Sequence, residues 1–99
     1  MTNGITFWYH LCVNSQQKKT LHKLFAIPES SDITWDSVES LFRALGAEIS
    51  QGSGSRVRVA LRDGRAVFHR PHPTPKLHKG LVRAVRKFLI LVHCTPDEL

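Results

Sequence analysis

Cysteine is scarce: two residues in 99, Cys12 and Cys94, near opposite ends of the chain. With no CxxC spacing and no framework of four or more, they argue against a stapled secreted fold and for two free thiols in a cytoplasmic protein. Long apolar runs are missing too. The most apolar stretch, ITFWYHLCV at 5–13, is too short to span a bilayer. It also carries neither the basic n-region nor the small-residue cleavage site of a signal peptide. No membrane partner is expected; the segment suits an extra edge strand, a partner contact, or an upstream start that adds nothing to the domain. Acidic residues number eight against fourteen Lys and Arg, a net charge of +6. That balance favours a polyanion such as nucleic acid. A solvated basic surface carries the same net charge, so the placement of the cations has to discriminate.

What is present fits one compact domain with one core, the apolar fraction being 41%. A short helix is predicted from about Gln16, with Leu21, Leu24 and Phe25 at helical spacing and Pro28 ending it. In the next segment Thr34 or Asp32 can cap a helix whose stripe is Trp35, Val38, Leu41, Phe42 and Leu45, with Gly46 suited to the left-handed position that closes it. From Ala47 the period changes to two. Val57, Val59 and Leu61 alternate with Arg56, Arg58 and Arg62, the pattern of a half-buried strand with a basic outer face. Asp63 and Gly64 signal a two-residue hairpin turn. The register that follows sets Arg62 against Arg65, Leu61 against Ala66, Val59 against Phe68 and Arg58 against His69. Thr74 as N-cap and Pro75 as first helical residue then open a long helix through about Val92. Its buried stripe is Leu77, Leu81, Val85, Phe88, Leu89 and Val92, and Lys79, Arg83, Arg86 and Lys87 stay outside. The expected fold class is α+β: a small three-stranded antiparallel sheet with helices on one face, in the order α-α-β-β-β-α.

Three arginines on one strand face repel one another in water, so they ask for an anion or serve to keep an edge soluble. Phosphate binding is favoured because Ser55 and the QGSGS loop meet His69 at the same end of the sheet. The candidate phosphate-binding set is Ser55, Arg56, Arg58, Arg70, Lys79 and Arg83. His69, His72 and His78 match no common zinc spacing, and neither a metal nor a small-molecule cofactor is expected. Cleaving a phosphodiester without metal needs a base for the 2′-OH proton, an acid for the leaving oxygen and cations for the phosphorane. Histidine can serve in either proton-transfer role. His69 and His72, in FHRPHP, are the catalytic candidates; Glu48, if outward-facing, can orient one of them.

The run ITWDSVESLFRALGAEISQGSGSRVRVALRDGRAVFHRPHP, followed by a long basic helix, resembles the HicA toxins of bacterial type II toxin–antitoxin systems, in particular a longer branch with a GSRV strand and an HRPHP turn. The resemblance covers about Lys18 to His93, and its most specific pieces are LGAEI, GSGSRVRV and FHRPHP. It implies a double-stranded-RNA-binding-domain-like fold over residues 16–94, with 1–15 an extension. It also implies an mRNA interferase, that is an endoribonuclease acting on mRNA, and a HicB-like antitoxin as protein partner. Shorter HicA proteins carry their catalytic histidine directly after the Gly-Ser that opens the second strand, where this chain has Arg56. Either His69 or His72 has taken over that role, or this branch binds RNA without cutting it.

Overall fold

The structure is a computed structural model that describes residues 13–98. Cys12 and nearly all of the apolar 5–13 stretch lie outside the described residues. The elements are α1 (Ser15–Leu24), α2 (Trp35–Ala44), β1 (Glu48–Gln51), β2 (Arg56–Leu61), β3 (Gly64–His69) and α3 (Lys79–Leu91). They form the α-α-β-β-β-α order, and the sheet is antiparallel with strand order β1-β2-β3. No helix among the described residues is long and apolar enough to cross a membrane.

Each helix starts where a side chain can satisfy its orphan amides. Asn14 Oδ1 accepts from the Gln17 amide at 2.8 Å and Gln17 Oε1 from the Asn14 amide at 2.9 Å, a reciprocal capping box that begins α1. Thr34 caps α2, and Asp32 instead takes an ion pair from Lys23 at 3.2 Å. The predicted stripe of α2 is buried throughout, and Gly46 closes the helix with φ 93°. Against the sheet, α2 packs on β1 and α3 on β3, while α1 packs on those two helices. The centre of the core is aromatic. Phe68 lies 6.1 Å from Trp35, 6.0 Å from Phe42 and 5.9 Å from Phe88 between ring centroids, within the range of favourable ring pairs.

Two expectations are corrected. The long helix does not begin at Thr74 and Pro75. Residues 75–77 run as a strap along 33–35: the Trp35 amide donates to the Pro75 carbonyl at 2.9 Å, the Leu77 amide to the Ile33 carbonyl at 2.9 Å, and Thr34 and Lys76 form an isolated antiparallel bridge. Hydrogen bonds between segments far apart in the sequence outcompete the local helix signal there. The helix starts at Lys79, capped by His78, whose Nδ1 accepts from the Leu81 amide at 3.1 Å.

The hairpin register also differs. Leu61 pairs with Gly64, Val59 with Ala66, Val57 with Phe68 and Arg56 with His69, so the turn residues are Arg62 and Asp63. Arg62 takes the positive φ, 54°, and its guanidinium donates to the carbonyls of Val92 at 3.1 Å and His93 at 3.3 Å, capping the end of α3. Gly64 is needed for close approach: a Cβ there would overlap Val92 Cγ1 and come within 3.1 Å of Phe88 Cε1. Because the shift in pairing is two residues, every side chain that stays within the strands keeps its face; Arg62 alone of the expected outer-face arginines passes into the turn.

Candidate nucleic-acid interface

The helices cover one face of the sheet and leave the other open. Val57, Val59, Leu61 and Phe68 point inward and are buried, while Arg56, Arg58, Arg65 and His69 are exposed. Through the ladder, Glu48 and Ser50 of β1 and Ala60 and Val67 join the same outer face. A shallow concavity of about 780 Å³ touches this face, with Glu48, Ser50, Arg58, Ala60, Arg65 and Val67 in its lining.

His69 stands across from Arg56, not Arg58, which pairs with Val67. The Arg70 amide donates to the Ser55 carbonyl at 2.8 Å. That bond makes the adjacent Arg56/His69 pair a non-hydrogen-bonded one, the type in which facing side chains lie closest. The neighbouring residue Phe68 is fixed by its three aromatic contacts. The backbone that presents His69 is therefore anchored from inside the core and by the Ser55–Arg70 bond at the end of β3 away from the Arg62/Asp63 turn. Among the described residues, the side chains of Arg56, Arg58, Arg65 and His69 have no hydrogen-bond or ion-pair partner.

The other candidate cations are placed differently. Arg62 belongs to the turn and reaches the end of α3, so it leaves the outer-face group, where Arg65, opposite Ala60, joins Arg56 and Arg58. Arg65 was missed because the assumed turn set it beside Arg62 at the loop; the corrected register carries it onto the sheet. Arg70 turns towards α2: its Nη2 lies 3.4 Å from Glu39 Oε2, the oxygen that also accepts from Trp35 Nε1 at 2.7 Å. On α3, Arg83 and Arg86 both contact Glu29 Oε2, at 3.2 and 2.8 Å. The hydrogen bond from Arg86, then Glu29's own backbone and then Arg83, holds the Glu29 carboxyl down from its ordinary 4.5 to about 2. Lys79 is exposed at the first turn of α3. Ser55, also exposed, lies directly before Arg56 at the hairpin end.

His72 is exposed in the segment that leaves β3, between Pro71 and Pro73, and no described contact joins it to His69. His78 is engaged as the α3 cap. Glu48 is outward-facing and opposite Ala60, at the far end of the strand from the Arg56/His69 pair, so it does not orient His69. Cys94 is buried, and that burial raises its thiol pKa, which leaves it a packing residue.

The result is a small α+β domain with one sheet face covered by helices and an opposite face whose exposed arginines have no anionic partner among the described residues. The family model of the HicA toxin of bacterial toxin–antitoxin systems matches residues 35–89, more than half of the chain. The chain belongs to that toxin family. No curated protein and no solved structure matches it.

Proposed function

We propose that this chain is a toxin that cleaves mRNA, a metal-independent endoribonuclease whose open sheet face binds the phosphate backbone and is masked by a HicB-like antitoxin in the cytoplasm. The observation that carries this is the Arg56/His69 pair on an exposed basic face whose cations are left unneutralised. In the proposed reaction His69 takes the 2′-OH proton, the 2′ oxygen attacks the adjacent phosphorus, and His72 protonates the departing 5′ oxygen. Arg56 and Arg58 stabilise the phosphorane, the charge that develops only in the transition state. Arg65, Ser55 and Lys79 extend the backbone contact. Arg70 and Arg83 are already paired with Glu39 and Glu29, which leaves them less available to phosphate. The functional domain is taken as residues 16–94.

A second reading is favoured by one observation. Arg56 occupies the position where shorter family members carry their catalytic histidine, which fits an RNA-binding or antitoxin-interaction module that does not cut. Growth arrest on induction, together with cleavage of RNA by the purified protein, separates the two. His69→Ala and His72→Ala, each checked for folding by circular dichroism, are expected to lower cleavage by about 10²–10⁴-fold and to abolish growth arrest. Binding of RNA without cleavage by the unaltered protein, or full toxicity in both variants, would overturn the catalytic assignment. The antitoxin is expected to cover Arg58 and His69; a complex that still binds RNA through this face would rule out occlusion.

A further inference from the structure

The outer edge of β3 has no strand partner among the described residues, because the sheet order is β1-β2-β3. The hydrogen-bonded pairs Ser55/Arg70 and, by alternation, Val57/Phe68, Val59/Ala66 and Leu61/Gly64 use the inward groups of β3. The Gly52 amide donates to the Arg56 carbonyl at 2.9 Å, which confirms that Arg56 directs its backbone towards the β1 side. It follows that the N–H and C=O groups of Arg65, Val67 and His69 point away from the sheet. That row is a template for strand addition.

The surroundings specify what kind of strand fits. Beneath the edge, between β3 and α3, lies a groove of about 480 Å³ with an apolar floor of Ala66, Ala84, Phe88 and Leu91 and with Arg65 and Lys87 at its margin. Ile90 and Leu91 are 52% and 68% exposed, far more than a core-facing helix residue needs. Above the edge lie Arg58, Arg65 and His69. No acidic residue lines the groove. Successive side chains of an added strand point to opposite sides of a sheet, one set into the apolar groove and the other over the cationic face. We infer that the β3 edge takes an extended protein segment in which apolar residues alternate with acidic ones, adding a fourth strand with its apolar side chains against α3 and its carboxylates against the arginines. A second copy of this chain fits poorly, because pairing two β3 edges would bring the Arg58 and Arg65 of both copies onto one continuous sheet. Membership in a toxin–antitoxin family provides a protein partner of some kind. The inference concerns protein binding alone and stands apart from whether RNA is cut.

The probe is a capped octapeptide of alternating valine and glutamate, titrated into the isotope-labelled full chain, with the valine–lysine counterpart as control. The glutamate peptide is expected to bind at least about tenfold more tightly than the lysine peptide. It should protect the amide protons of Arg65, Val67 and His69 from exchange. Val67→Pro removes the central outward N–H while leaving the β2–β3 ladder intact, since proline is tolerated where that group faces solvent. Affinity in that variant should fall about tenfold or more. Leu91→Glu, at a position 68% exposed, should weaken binding as well, and with the amide protection it settles the matter if Val67→Pro misfolds. Unchanged binding in both variants would put the peptide on the arginines by charge alone and overturn the inference. So would equal binding of the lysine peptide, or no binding. Self-association of the free chain that Val67→Pro removes would assign the edge to a second copy and overturn it too.

Discussion

Arginine pairs occur on two sides of this molecule in opposite electrostatic states. On α3, Arg83 and Arg86 share one oxygen of Glu29, and the shared carboxylate is mostly covered, 16% exposed. On β2, Arg56 and Arg58 have no anionic partner among the described residues. A net charge of +6 does not distinguish them. The carboxylates do: Glu29 serves α3, Glu39 serves Arg43 and Arg70, and Asp32 serves Lys23, all on the helical side. Glu48 alone among the acids shares the open sheet face. Cations already matched by the fold contribute to its architecture, and those left over are the ones available to a ligand.

The largest expected effect tests the unmatched pair. Arg56→Ser with Arg58→Ser should weaken binding of a labelled single-stranded RNA more than about tenfold at low salt and flatten the log–log salt dependence by about 1.4, two phosphates at 0.7 each. Arg83→Ser should leave that slope where it is. Fluorescence anisotropy across a salt series measures both, and an equal flattening by Arg83→Ser would erase the distinction between the two groups.

The matched pair should announce itself through acid. Glu29 has its folded pKa depressed to about 2 from 4.5, so the stability it contributes is present above about 4.5 and is lost as pH falls towards 2. Glu29→Gln should therefore melt below the unaltered chain at neutral pH, with the two melting temperatures converging in acid. Thermal scans from pH 7 down to 2 provide the check; a gap that stays constant with pH would mean the carboxylate is not what the α3 arginines lean on.

The smallest effect is expected at Glu48. Glu48→Gln removes the one carboxylate from the open face, and RNA affinity should rise by less than about tenfold, since exposed charge interactions rarely exceed about 1 kcal/mol. The gain should vanish at high salt. A loss of affinity instead would mean that Glu48 takes part in binding.

Much of the fold was legible because it is written in periodicity and caps. The stripes of α2 and α3 and the alternation of β2 and β3 recur at fixed spacings, and a two-residue change in pairing leaves that alternation untouched. Thr34 and Gly46 were legible for the same local reason. The turn and the start of α3 were not. Gly64 reads locally as a turn glycine, but its missing side chain is required by Val92 and Phe88, residues far away in sequence. Thr74 and Pro75 read locally as a helix start, but the backbone of 33–35 claims the neighbouring residues. The partnership of Glu29 with Arg83 and Arg86 spans more than fifty positions, so no window along the chain displays it. Of the candidate site, Arg56, Arg58 and His69 could be placed on one face by alternation alone; who faces whom required the register.

The strap between 33–35 and 75–77 bears on His72 through chain statistics. The segment from Pro71 to Thr74 is tethered on one side by the Arg70 amide on Ser55 and on the other by the Pro75 carbonyl on Trp35. A tether at each end turns a free tail into a short closed loop, and two prolines within it narrow the conformations left. The backbone that carries His72 has fewer conformations open to it than an open arm would, so fixing that backbone on a ligand would forfeit less freedom.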